Sequence, residues 1–277
     1  MKRIAVLSIV RNAGIFLDKW IAHYGAAFGP ENLFLILDGE DQRAPEGTRV
    51  HIRVVPHEIL GRAAGDKLRA ARLSSQARDL FAQGYDIVIA TDIDEYIVVD
   101  PATGMSLAQY LSASSQQYSL SGLGLDVIQH LDDEEQIDPS RPFLAQRSYA
   151  QIASRYTKPS ITFRPLKWGS GIHRIKGHNF RIDPNLFLIH TGMIDAQIAR
   201  GLGDDADRKA QGWGAHQERR EKTFRTVRRA EARDGDSVFA RARRRMSVFR
   251  PIYALNKPGH MKGDAIIRIP ARFRDLV

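Results

Sequence analysis

Two periodicities of apolar residues alternate over the first hundred positions. Ile4 to Val10 is almost continuously apolar, the pattern of a parallel strand buried on both faces. Leu17, Trp20, Ile21, Tyr24 and Phe28 then recur at helical spacing and make one apolar face, which Gly29-Pro30 brings to a stop. Leu33 to Leu37 reads as a second buried strand ending at Asp38-Gly39, and Val50 to Val55 as a third. Leu73, Ala77, Leu80 and Phe81 mark the apolar side of a second helix, closed by Gly84. Tyr85 to Ala90 is a fourth strand and runs straight into Thr91-Asp92-Ile93-Asp94-Glu95. This alternation implies right-handed crossovers and an α/β fold on a mostly parallel open sheet flanked by helices. Such sheets bind ligands at the carboxyl ends of their strands, where both Asp38 and the Asp92 to Glu95 cluster fall.

The second half is less regular. Ser106 to Ser114 suits a short helix, and Tyr118 to Ile128 a strand relaxed by Gly122 and Gly124. Ser160 to Pro165 and Leu186 to His190 read as further strands, and Asp132-Asp133-Glu134-Glu135 as a solvated acidic loop. From Ala215 to about Phe249 the pattern is helical and basic. The expected division is a catalytic α/β domain over residues 1–200 and a basic, mainly helical extension over 201–277.

Charge sharpens that division. The chain carries a formal net charge of +9, and between Arg219 and Arg250 twelve Lys or Arg stand against four Asp or Glu. Such a segment points to a phosphate-bearing partner: a nucleic acid, an anionic membrane or a phospholipid-linked acceptor. Phe224, Val227 and Val238 beside the arginine runs suggest a helical face docking on an anionic membrane surface. Nucleic acid is the weaker partner, because few aromatics interleave with the arginines and no turn motif stands out. Cysteine is absent, which excludes disulfides, thiolate metal sites and a cysteine nucleophile. No apolar run approaches the roughly 18 residues of a membrane span. The N-terminus shows no signal-peptide pattern, so a cytoplasmic protein is expected.

The chemistry concentrates in Asp92-Ile93-Asp94. Residues i and i+2 leave an extended strand on one side, so both carboxylates can approach one cation while Ile93 points to the core. Hard oxygen ligands suit Mg²⁺ or Mn²⁺, which keep positions open for phosphates and offset the charge of a diphosphate leaving group. Strand-end capping is the plainer explanation of the same residues.

In order, these pieces resemble the GT-A glycosyltransferases, specifically the family 2-like and family 92-like group. The resemblance covers roughly residues 3–195. It rests on Ser8-Ile9-Val10-Arg11-Asn12, the helix bearing Leu17, Trp20, His23 and Tyr24, Leu37-Asp38-Gly39, and Asp92-Ile93-Asp94-Glu95-Tyr96. Lys158-Pro159, Trp168-Gly169-Ser170-Gly171-Ile172-His173 and Leu188-Ile189-His190 complete it. It implies a hexosyltransferase that takes a nucleotide-sugar donor, expected to be UDP-linked, with a divalent cation and inversion at the anomeric carbon. The acceptor would be a glycan or a lipid-linked glycan of the kind used in bacterial surface polysaccharide synthesis. Carried over, Asp38 meets the nucleoside, while Arg11 and Asn12 hold the uracil or the diphosphate. Asp92 and Asp94 hold the cation with His190 as third ligand, and His173 contacts phosphate or acceptor. Helix packing is the expected job of His23. The family's Glu-Asp pair has no clean equivalent here. The general base is therefore left between Asp126 and Asp195. Two other readings compete: a nucleic-acid-binding protein using the basic segment, and a Mg²⁺-dependent nucleotidyltransferase, which usually brings a Gly-rich phosphate loop that is missing here.

Overall fold

In the computed structural model, which describes residues 1–204, 214–251, 256–259 and 265–277, the apolar runs of the first half become the parallel part of one large sheet. β1 (Ile4–Val10) pairs in parallel with β2 (Leu33–Asp38) on one side and β4 (Ile87–Ala90) on the other. β3 (His51–Val55) follows β2 in parallel and forms the edge. Alternate residues of these strands serve opposite faces. Val6, Leu35, Leu37, Ile87 and Ile89 pack with Trp20 and Tyr24 of α1 (Phe16–Phe28). Ala5, Leu7, Ile36, Val88 and Ala90 pack with Ala70, Leu73, Ala77 and Leu80 of α2 (Arg62–Ala82). Two covering helices explain why these strands read as unbroken apolar runs rather than alternating ones. β3 departs from that rule: Ile52 and Val54 are exposed at the sheet edge.

Beyond β4 the sheet is mixed. β5 (Glu95–Val99), α3 (Leu107–Ala113), β6 (Ser119–Ile128), α4 (Phe143–Gln146), β7 (Tyr149–Ile152), β8 (Ile161–Thr162) and β9 (Arg181–Met193) follow in order. With β10 (Arg233–Asp234) and β11 (Ile266–Arg268) from the C-terminal part, the strand order among the described residues is β10-β11-β7-β6-β8-β4-β1-β2-β3, with β9 joining β6 to β5. β6 and β9 run parallel, in a register that sets Asp126 opposite His190. β5 and β9 are antiparallel, with Glu95 opposite His190. Two adjacent ladders therefore bring residues from three distant stretches of chain around one histidine.

The basic segment is not one helix. α5 (Ala196–Asp204) and α6 (Gly214–Arg229) are followed by β10 (Arg233–Asp234), α7 (Gly235–Val248) and β11 (Ile266–Arg268). Arg233 and Asp234 pair with Ile267 and Arg268, and the Asp234 carboxylate accepts from Ser237 N at 3.0 Å, starting a new helix. β11 in turn pairs with β7, which stitches the segment into the main sheet. The apolar positions expected to face a membrane point inward instead. Phe224 and Val227 pack with Ile128, Tyr149 and Met193, and Val238 joins the main core. Arg228 meets Asp132 at 2.7 Å. The acidic loop is exposed at Asp132, Asp133 and Glu135, but Glu134 turns inward and accepts from His130 N and Ser148 N. No described helix is long and apolar enough to cross a membrane.

Candidate active site

A cleft of about 530 Å³ opens at the carboxyl ends of β1, β2 and β4. Its central feature is the turn after β4, and α1 holds that turn in place. Trp20, fully buried, donates from Nε1 to Thr91 Oγ1 at 3.0 Å. The Tyr24 hydroxyl donates to Glu95 O at 3.2 Å and accepts from Ile97 N at 2.8 Å. His23, on the same helix, sits between the carbonyls of Ile97 (3.0 Å) and Leu276 (3.2 Å), tying α1 to β5 and the C-terminal residues. The spacing of aromatic residues along α1 is thus what fixes the acidic turn.

Asp92 and Asp94 do not leave an extended strand. They lie in a turn closed by Glu95 N donating to Asp92 O at 3.1 Å, and half-buried Ile93 between them forms part of the cleft wall. Each carboxylate has its own counter-charge. Asp92 accepts from Arg69 at 2.8 Å and from Lys158 at 3.0 Å. Lys158, almost fully buried, also meets Glu95 at 2.7 Å. Asp94 lies 3.3 Å from His190 Nε2, whose Nδ1 is 2.6 Å from Asp126. The Tyr156 ring stacks flat on His190 at 3.7 Å. Thr191 donates from both its N–H and its hydroxyl to Asp94 O, fixing the turn to β9.

These pairings set the charges. Burial alone would raise the Asp92 carboxyl, but Lys158 and Arg69 hold it well below the usual carboxylate range. Burial likewise opposes ionisation of Asp94, and His190 outweighs it, lowering that pKa. Burial pushes Glu95 up to about 7; Lys158 opposes this, while Asp92 and Asp94 add to it. Burial would lower His190, yet the Asp94 and Asp126 carboxylates lift it to about 10, so the imidazole is protonated at neutral pH. Burial and the Lys158 charge push His173 down to about 4, leaving it neutral.

The other expected residues divide between the cleft and the interior. Arg11, Asn12, Asp38 and His173 all line the cleft. Arg11 donates to Asp38 O at 2.8 Å, and Asn12, at φ +50, exchanges hydrogen bonds with Gln42. The Asp38 carboxylate is held by Arg72 and His57, each at 3.1 Å. Asp126 and Asp195 lie elsewhere. Asp126 is 2% exposed and stands behind His190. Asp195 is 3% exposed and caps α5, accepting from Gln197 N and Ile198 N, and it also accepts from Ile137 N. Neither carboxylate reaches the cleft wall, so neither can take a proton directly from a molecule bound there.

Several wall residues escaped the sequence reading. Arg62, Asp66 and Arg69 come from the first half of α2, and His57 and Glu58 from the loop before it. Arg155 and Tyr156 come from the segment after β7, beside Lys158, which the resemblance included without a role, and Arg219 and Arg220 of the basic segment line the wall from α6. One signal was there to find. Arg62, Asp66 and Arg69 recur at spacings of four and three, a polar stripe on one face of a helix.

Among the described residues, no group of three or more His, Asp or Glu side chains converges as a ready-made metal site. What faces the cleft is a pair of carboxylates, Asp92 and Asp94, with His190 touching one of them. Two such carboxylates would suit a hard cation that keeps its other positions for phosphate and water.

No protein-family model matches the chain, and no curated protein sequence does. Among solved structures it is similar to the crystal structure of mannose-1-phosphate geranyltransferase from Thermus thermophilus. The two align with a TM-score of 0.31 and 11% identity, over 76% of this chain and 67% of that one.

Proposed function

We propose that the cleft belongs to a glycosyltransferase using a nucleoside-diphosphate sugar and a divalent cation. One observation carries the reading: Asp92 and Asp94 sit on a rigid turn at the carboxyl end of a parallel strand, ringed by basic groups, in a cleft that also holds Asp38. The nucleoside lies at the β2 and β3 end, with Asp38, Arg11 and Asn12 as its polar contacts. The diphosphate lies over the turn, within reach of Arg69 and Lys158. Asp92 and Asp94 are the residues that would hold Mg²⁺ or Mn²⁺, which when bound supplies charge to the leaving diphosphate. His190 is protonated without the cation, so its use as a ligand requires loss of a proton, and cation binding weakens as pH falls.

The cleft supplies its own base. Of its carboxylates, Asp38, Glu58, Asp92, Asp94 and Glu95 each meet a basic side chain. Asp66 has no such ion pair among the described residues, and burial raises its pKa. In the proposed step the acceptor hydroxyl gives its proton to Asp66 and its oxygen bonds to the anomeric carbon. The bond from that carbon to the diphosphate breaks, and its electron pair leaves with the diphosphate. A single displacement of this kind inverts the anomeric configuration.

A panel of nucleotide sugars, incubated with the protein and Mn²⁺ and assayed for released nucleoside diphosphate, tests the reading. Release from one donor and not the others supports it. Release from none, with or without acceptor mixtures, counts against it.

A further inference from the structure

Several basic groups of the cleft have a carboxylate partner, and two do not among the described residues. Arg11, Arg69, Arg72 and Lys158 are each engaged by carboxylates: Asp41, Asp92, the Asp38 and Glu58 pair, and the Asp92 and Glu95 pair. Arg155 and Arg220 are different. Arg220, half-buried on α6, donates from Nη1 to Ala199 O at 3.3 Å. The Arg155 guanidinium stands 5.8 Å from the Tyr156 ring centroid. Neither has a carboxylate within ion-pair distance among the described residues.

Their place in the fold is also distinct. Asp38, His57 and Arg72 lie at the β2 and β3 end of the cleft, and the Asp92 turn follows β4. Arg220 lines the cleft from α6, and the strand order sets β6 and β7 on the other side of β4 from β2 and β3. α6 is anchored there by Phe224 and Val227 packing against residues at the ends of β6, β7 and β9. Arg155 precedes Tyr156, the ring stacked on His190, which in turn touches Asp94. Both guanidiniums therefore belong to the end of the cleft opposite the nucleoside contacts. Planar donors without a counter-charge, in a concave wall, suit a phosphate group.

We propose that Arg155 and Arg220 form an anion subsite for the acceptor, holding a phosphate group on the molecule that receives the sugar. This rests on the transferase reading of the same cleft. It places the surplus of the arginine-rich segment partly inside the site rather than only on an outer surface. The phosphate can belong to a lipid headgroup or to a soluble phosphorylated acceptor, and the chemistry of capture is the same.

The test is calorimetric titration of the full chain with inorganic phosphate, with and without saturating UDP and Mg²⁺, and separately with UDP. Wild type is compared with Arg155→Gln, Arg220→Gln and the double variant, after their unfolding midpoints are matched. The double variant should bind phosphate about tenfold more weakly or worse, from the loss of charge-assisted hydrogen bonds, while UDP affinity stays within about twofold. If Arg220→Gln proves unstable, Arg155→Gln, exposed on the rim, carries the comparison by itself. Phosphate binding unchanged in the variants overturns the subsite. A parallel loss of UDP affinity also overturns it, because the arginines then serve the donor. Arginine-dependent phosphate binding in a protein that ignores UDP keeps the subsite and removes the transferase reading. Competition of phosphatidylglycerol vesicles with phosphate assigns the group to a lipid, and indifference to them assigns a soluble acceptor.

Discussion

Gly124→Ala should be among the most damaging single-methyl changes in this chain, although Gly124 sits in an ordinary strand. A Cβ there would fall 2.6 Å from both Ala153 O and Thr157 N, and against the Tyr156 carbonyl carbon as well. All three are backbone atoms, so no side chain can swing away. Roughly an ångström of displacement is needed, and overpacking of this kind costs about 1–3 kcal/mol. The same displacement strains two hydrogen bonds, Gly124 N to Thr157 Oγ1 and Ala153 N to Gly124 O, both at 2.9 Å. Losing them adds about 1 kcal/mol each, and the backbone entropy gained by replacing glycine returns about 0.5–1 kcal/mol. The net expectation is about 3 kcal/mol, a large share of the 5–15 kcal/mol that holds a typical domain together. The displaced turn carries Tyr156 and leads to Lys158, so ligand binding in the cleft should fall too, even where the variant is still folded. Urea unfolding followed by tryptophan fluorescence reads the first effect. Gly65→Ala, in α2 with open space around its would-be Cβ, is the control and should gain about 0.5–1 kcal/mol. A Gly124→Ala protein within about 0.5 kcal/mol of wild type would refute the close-approach reasoning.

Three further outcomes follow from the same geometry. Asp66→Asn should slow transfer by about 10²-fold or more with UDP affinity kept, and steady-state rates beside a UDP titration check it. Trp20→Phe should cost about 1–3 kcal/mol by stranding the buried Thr91 hydroxyl, and should cost less in a Thr91→Val background, which a double-mutant cycle of urea midpoints measures. Burial lowers the pKa of His23, outweighing its two carbonyl neighbours, so the unfolded chain binds the extra proton first. Stability should therefore fall as pH drops below about 6.5, and a His23→Leu variant should lose less between pH 7 and 5.

The parallel half of the fold was legible because its strands are covered on both faces and its helices on one. Ile4 to Val10 and Leu33 to Leu37 announce themselves by composition. α2 was legible only from Leu73 on. Its first two turns carry Arg62, Asp66 and Arg69 toward a polar cleft and show no apolar stripe. β5 went unread because Glu95–Val99 follows the acidic turn with no breaker between them. Its partner β9 lies about ninety residues on, a pairing that no local pattern encodes. The candidate site shows the same split. Asp38, Asp92 and Asp94 are visible as acidic residues ending apolar runs. Asp126, read as a reacting group, is buried behind His190, a fact set by the β6–β9 register alone. Lys158 and Arg220 were visible as part of a motif and of a basic segment, but long-range packing alone brings both to this cleft.

The proposed function stands on Asp92 and Asp94 coupling a divalent cation to a nucleoside diphosphate. Calorimetric titration of UDP into wild type and Asp94→Asn, with Mn²⁺ and with chelator, tests it most directly. Tight UDP binding is expected only for wild type with Mn²⁺, and about a hundredfold weaker binding in Asp94→Asn, the scale of a lost charge-assisted ligand, with the unfolding midpoint preserved. UDP binding that ignores Mn²⁺ and is the same in both proteins would contradict it.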